Sequence, residues 1–210
     1  MLKQRTVIGV GIVTVVVLAV CLTIGIFSYG ITRKQWAGPA TRAFAGLVSF
    51  PVGRVDGHKA TYTDYLAQVD AQAIYLKTED ARSRQLPSEV NAQTREAAYS
   101  QLIQIAALEA LADQEKISIT DLDIDRAFSD FENQSGTSTK PGEIDNFLKE
   151  SFGWSRDEFK RFFIRPGVLG QALRLKMPGA TEDEKGQALS KKIDERLAAD
   201  DVKRYLILAP

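Results

Sequence analysis

The chain has 210 residues, 44% hydrophobic and 26% charged, an ordinary globular composition that excludes a disordered or fibrous polymer and leaves room for one or two domains. Its 27 basic and 27 acidic residues cancel overall but not locally: Lys3, Arg5, Arg33, Lys34, Arg42 and Arg54 are the only charged side chains before Asp56, so the remainder carries 21 basic against 27 acidic residues. An acidic body is a poor partner for DNA or RNA, and no nucleic-acid function is read, whereas a basic amino-terminal part suits anionic lipid head groups at roughly 1 kcal/mol per residue near the surface.

The first element is "VIGVGIVTVVVLAVCLTIGIF", Val7 to Phe27, which carries no charge. At ~1.5 Å per residue this run reaches across a hydrocarbon core of ~30 Å, which predicts a transmembrane helix within an anchor of residues 1–34. It is longer than the apolar region of a cleaved signal peptide, and the nearest small-x-small triplet, Ala43-Phe44-Ala45, is too far downstream to be its cleavage site. "LAVC" imitates a lipobox, but Val20 is too large for the position before the cysteine, so Cys21 reads as a plain membrane cysteine. As the sole cysteine it permits neither a disulfide framework nor a thiolate metal site. Lys3 and Arg5 on one side, against Arg33, Lys34 and Arg42 on the other, leave the positive-inside rule nearly tied.

"TRKQWAGPATRAFAG" reads as a basic juxtamembrane linker, placed at residues 35–46, with Pro39 and two glycines interrupting any helix. The body is expected over 47–210 and to be mainly α, with a small two-stranded β element. "LVSFPVGRVDG" alternates like a strand and ends in the turn dipeptide Asp56-Gly57. Thr63 is a candidate cap for a helix carrying Tyr65, Leu66, Val69, Ile74 and Tyr75, and Pro87 suits the first turn of a long helix. That long helix bears a broad stripe of Tyr99, Leu102, Ile103, Ala106, Ala110 and Leu111, which marks it as central. "QSGTSTKPGE" is a loop and "EIDNFLKESFG" a short helix; Ser155 with Glu158 and Thr181 with Glu184 form capping boxes for two more. Pro166-Gly167 is expected to break or kink the first of these, and "VKRYLILA" closes the chain as a short strand, whose "YLILA" is expected to pair with "LVSFPVGRV".

Asp121 to Glu132 place carboxylates at positions 1, 3, 5 and 12 of a twelve-residue window, the acidic spacing of a calcium loop. The sixth position, however, is Arg126, where such a loop turns on glycine and where a cation would be repelled. Ile124, Ala127, Phe128 and Phe131 form a helical stripe through the window, and Thr120 with Asp123 fits a cap, so a helix is predicted from about Asp121 and no metal is assigned.

Catalytic signatures are sparse. His58, the single histidine, falls in the turn "VDGHKA" and reads as an exposed turn residue; no phosphate-binding loop, dinucleotide fingerprint or HExxH is present, so no enzyme activity and no cofactor are assigned. The aromatic group is the stronger feature. Phe128, Phe131, Trp154, Phe159, Phe162 and Phe163 are core candidates, yet consecutive Phe162 and Phe163 point about 100° apart on a helix, which would leave one for an apolar groove that takes extended peptide.

"GRVDGHKATYTDYLAQV" resembles the strand, turn and helix that open SurA/PrsA-type chaperone domains; "YSQLIQIAALEALADQEKISITDLDIDRAFSDF" and "GWSRDEFKRFFIRPGVLGQAL" are similar to the two signatures that succeed it. The resemblance covers roughly Leu47 to Met177. It implies a membrane-anchored, ATP-independent holdase that binds unfolded client polypeptides through those six aromatics. It also implies a cytoplasmic amino terminus and an extracytoplasmic body. The 33 residues after Met177 are too few for the parvulin-type prolyl isomerase domain that family members often carry. Two alternatives stand beside the holdase: a membrane-anchored scaffold docking one folded partner, and a degenerate isomerase.

Overall fold

The structure is a computed structural model that describes residues 21–134 and 142–207. The apolar run Val7–Phe27 therefore lies largely outside the described residues, as do most of the "QSGTSTKPGE" loop and the last residues of "YLILA". Among the described residues, no helix is long and apolar enough to cross a membrane.

The body is mainly helical and carries one small antiparallel sheet. Helix α1 is described over 21–34. It ends at Gln35, whose φ of 51° is left-handed, and the Trp36 N–H folds back to the Gly30 carbonyl at 3.1 Å, which satisfies one carbonyl of the last turns. The chain then turns into α2 (Pro39–Val48), which comes back alongside α1 so that Phe27 and Phe44 stack at 4.6 Å. This differs from the expected linker. Pro39 does not interrupt a helix but starts one, because a first-turn residue needs no N–H partner and the proline ring presets φ.

Strands β1 (Pro51–Val55) and β2 (His58–Thr61) form a hairpin across Asp56-Gly57, both at positive φ (45° and 92°), as a two-residue turn between right-twisting strands requires. A third strand, β3 (Lys203–Arg204), pairs antiparallel with β1 opposite Gly53 and Arg54. The sheet thus has three strands in the order β2-β1-β3, not two, and the carboxy-terminal strand begins two residues before "YLILA". The pairing is nevertheless on the expected partner, and the Tyr205 N–H extends it to the Val52 carbonyl.

Helix α3 (Tyr62–Tyr75) is capped by Thr61, whose hydroxyl accepts from the Asp64 N–H, rather than by Thr63. A short α4 (Glu79–Ser83) follows. The long helix α5 (Ala92–Gln114) starts later than Pro87 suggested, because Asn91 and Thr94 exchange side-chain and backbone hydrogen bonds of 2.8 and 2.9 Å in a capping box. All six residues of its predicted stripe are buried. Helix α6 (Asp121–Gln134) begins within the acidic window, with the Thr120 N–H donating to Asp123 at 2.9 Å. Ile124 and Phe128 turn inward, as the helical reading requires and a calcium loop does not.

Helix α7 (Glu143–Phe152) ends at Gly153 (φ 71°), and Ser155 with Glu158 caps α8 (Arg156–Phe159). No break follows at Pro166-Gly167. Instead Lys160–Ile164 widens into a π-turn, where the Arg165 N–H reaches the Lys160 carbonyl five residues back, and α9 (Arg165–Lys176) continues with Pro166 in its first turn. A proline inside an α-helix removes a bond and crowds the carbonyl four residues earlier; widening the turn just before it makes room for the ring. Helix α10 (Glu182–Leu197) carries the expected Thr181–Glu184 box.

The sheet is locked to α5 at close range. The buried Tyr99 hydroxyl donates to the Val52 carbonyl at 2.8 Å, and a Cβ at Gly53 would run into Ile103 Cδ1 while lying 3.2 Å from the Lys203 carbonyl. Arg196, 9% exposed, grips Asp201 with two bonds of 2.6 and 2.7 Å and approaches Asp56 at 3.6 Å, which ties the hairpin turn to the approach of β3.

Two outcomes follow from this packing. Gly53→Val should lower stability by about 1–3 kcal/mol through overpacking against Ile103, read as a lower urea midpoint of the full chain in mild detergent. The second concerns acid. The Thr120 hydroxyl holds Asp123, Arg196 holds Asp201 and Lys192 holds Glu115 below the usual carboxylate range. Their contribution is fully present above the unfolded-chain value of about 4 and is lost as pH falls through the lowered folded values. Urea midpoints should therefore show little change from these groups between about pH 7 and 5 and a fall between about pH 4 and 2.

Candidate functional site

The six aromatic candidates do come together. Phe128 and Phe131 on α6, Trp154 ahead of α8, Phe159 at the end of α8 and Phe162 and Phe163 in the π-turn form one connected group, with ring separations from 5.0 Å (Phe131–Phe159 and Phe159–Phe163) to 6.5 Å (Trp154–Phe159). They are not an open groove. Phe128, Trp154, Phe159 and Phe162 are buried, Phe131 is half-buried, and only Phe163, at 56% exposure, faces solvent. The Trp154 indole N–H donates to the Ala67 carbonyl at 3.2 Å, and Lys160 lies over the Phe128 ring at 5.0 Å while pairing with Asp125 at 2.6 Å. The 100° divergence of Phe162 and Phe163 is realised: one enters the core and its neighbour leaves it.

An open apolar cleft lies elsewhere. Gln72 and Tyr75 of α3 with Leu76 just after it, Gln93, Thr94 and Ala97 of α5, and Leu86 and Pro87 of the connecting segment enclose about 380 Å³. Its floor is the buried Leu76 and its rim the exposed Leu86. The rim is pinned at one end, where Gln85 (φ 55°) reverses the chain and the Leu86 N–H returns to the Ala81 carbonyl at 3.0 Å. Beside the cleft, the Tyr75 hydroxyl donates to Asp80 at 2.7 Å, and that bond raises the phenol's pKa and lowers the carboxyl's. The cleft exists because α5 starts at Ala92. Had Pro87 begun the helix, 87–91 would have continued the cylinder instead of forming a wall. The one sequence signal was Asn91 three residues ahead of Thr94, a cap competing with the proline.

His58 is not a free turn residue. It opens β2, with Nε2 at 2.9 Å from Asp113 and Nδ1 at 3.3 Å from Glu109; Glu109 also binds Arg165 at 3.1 Å. These groups border a pocket of about 190 Å³ with Ile117, Ser118 and Leu169. Both ring nitrogens are occupied by carboxylates one helical turn apart on α5, so the imidazole clamps sheet to helix. A further recess of about 300 Å³ holds Asp121, Asp125, Asp157, Lys160, Arg161 and Arg165, charges of both signs that largely neutralise one another. Among the described residues, no three histidine, cysteine, aspartate or glutamate side chains are grouped to hold a metal ion.

Comparison with protein-family models, with curated proteins and with solved structures finds no match for this chain.

The burial of the aromatic group sets a clear expectation. Phe159→Ala should cost about 3–5 kcal/mol, whereas Phe163→Ala should stay within roughly 1 kcal/mol of the parent. Urea unfolding of the two variants, followed by far-ultraviolet circular dichroism, checks the contrast.

Proposed function

We propose that the protein is a membrane-anchored, extracytoplasmic folding factor of the SurA/PrsA type, which holds unfolded polypeptides without nucleotide. In this reading Val7–Phe27 is the anchor, the amino terminus is cytoplasmic and the helical body stands outside. The observation that carries the reading is the open apolar cleft between α3 and α5, large enough for one or two client side chains and lined by apolar groups with a few polar atoms at its edge. The three motifs in family order lend support. The strand, turn and helix of the first are β1, β2 and α3; the second runs through α5 into α6; the third spans α8, the π-turn and α9. No covalent step is required of the chain: exposed client side chains exchange water for the cleft, and tethering keeps the binding surface where clients emerge.

The aromatic candidates take a different part in this mechanism from that expected. Phe128, Trp154, Phe159 and Phe162 stiffen the body, and Phe163 offers a minor apolar contact beside it.

The test is aggregation suppression by the full chain in nanodiscs, with a chemically unfolded client and no nucleotide. Near-stoichiometric protein should keep the client soluble. Ala97→Arg, which fills the cleft from an exposed helical position, should reduce suppression several-fold without changing the unfolding midpoint. A folded protein that suppresses nothing across several clients would overturn the holdase reading, and recovery of one folded partner at fixed stoichiometry would favour the scaffold.

A further inference from the structure

The α1–α2 hairpin leaves an apolar face that the body does not use. On α2, Thr41 and Ala45 are buried against α3, and Arg42 leans the same way to pair bidentately with Asp70 at 2.8 and 3.0 Å. At 100° per residue Ala40, Ala43 and Leu47 fall within an arc of about 60° on the opposite side. All three are exposed, Leu47 at 87%, the most exposed large apolar side chain among the described residues, and Val48 beside it is 47% exposed. No charge lies on that arc. An apolar stripe of this kind is open to an apolar surface that would shield it from water.

The hairpin geometry indicates what the cover is. Phe44 stacks on Phe27, and α2 runs back along α1, so Leu47, three residues further on, stands about 4.5 Å beyond Phe27, level with Ile24. Ile24 belongs to the apolar run Val7–Phe27 and is itself 44% exposed, with Leu22 at 66% and Ile26 at 57%. The last turn of α2 is therefore held at the depth where the apolar run ends. In the other direction, Arg33 and Lys34 are exposed about 10 Å up α1 from Phe27, at the height of lipid head groups, and Trp36, 41% exposed, sits at the hairpin tip. No acidic residue precedes Asp56 in the chain, and with Arg42 neutralised by Asp70 the exposed Arg33 and Lys34 carry the positive charge of this corner.

We propose that α2 is a membrane-surface foot: its Ala40–Ala43–Leu47 face lies in the interfacial layer of an anionic lipid bilayer beside α1 and sets the tilt of the body on the membrane. The inference rests on the anchored reading above, and it adds a second, laterally placed contact to a single-helix tether. A single helix lets the body swivel; two points of contact, with Arg42–Asp70 joining α2 to α3, make the orientation of the body a property of the lipid surface.

The full chain is reconstituted in vesicles of phosphatidylethanolamine and phosphatidylglycerol, and a nitroxide is attached in turn to native Cys21, to Leu47→Cys and to Leu175→Cys, the last two in a Cys21→Ser background. Leu175 on α9, 68% exposed, reports the body surface. The reading is accessibility to oxygen relative to a water-soluble nickel chelate. The ratio at Cys21 and at Leu47 should exceed that at Leu175 several-fold, with Leu47 the shallower of the two. A Leu47 label that behaves like Leu175 while Cys21 remains in lipid would overturn the foot and leave the anchor standing. A Cys21 label exposed to the chelate would overturn the anchored reading itself. A Leu47 label shielded from both reagents would mean that protein covers the stripe, and would also overturn the foot. Circular dichroism of each labelled variant confirms that the helical body is retained.

Discussion

The architecture depends on how closely other elements can approach α5. Ala98, Ala106, Ala107 and Ala110 are all buried on that helix, and each presents only a methyl group. The sheet, α3, α9 and α10 all pack against it. Small side chains let several backbones crowd one axis, while Tyr99, Leu102 and Ile103 supply the bulk that fills the space between them. The same closeness removes tolerance. At Gly53 a Cβ would run into Ile103 on one side and crowd the Lys203 carbonyl on the other, so β1 carries no side chain where the sheet, α5 and the carboxy-terminal strand meet.

The aromatic group is the second organising feature, and it depends on the π-turn. Widening the helix over Lys160–Ile164 changes the phase of everything that follows, so Phe159 and Phe162 face the cluster of α6 and Trp154 while Leu169 and Leu173 still meet the core. A regular helix would rotate one set away from its partners. The rings are also sealed from outside by Arg156 and Lys160, whose charged ends pair with Asp145 and Asp125 while both lie over the face of Phe128. Buried rings with satisfied cations above them describe a rigid wall, so this aromatic cluster cannot receive a ligand without rearranging.

Much of this was legible from residue order. Caps at Thr120, Ser155 and Thr181 are local chemistry within four residues, and the α5 stripe from Tyr99 to Leu111 is a periodic signal over more than three turns; both survive because tertiary packing reinforces them. The helix across the acidic window was legible for the same reason. What escaped was set by contacts distant in sequence or by competition between neighbours. Pro39 and Pro166 read as breakers, yet one occupies a first turn and the other is accommodated by an adjacent change of helix type. The α3–α5 cleft depends on a cap at Asn91 outcompeting Pro87. His58 joins β2 to Glu109 and Asp113, 51 and 55 residues away along the chain, a partnership that no local pattern encodes.

The two ends of the described body meet at one corner. The Ile207 N–H donates to the Thr32 carbonyl at 3.0 Å and the Gln35 amide to the Ile207 carbonyl at 3.3 Å, so the segment after β3 is fastened to the end of α1. In mechanical terms, a pull transmitted through α1 does not enter the body as a tug on one free strand. It is shared at once with the carboxy-terminal segment, and through β3 with the centre of the sheet. The hydrogen bonds between β1 and β3 lie side by side across that load and would have to yield together. A body whose two ends are joined in this way resists being peeled from either one.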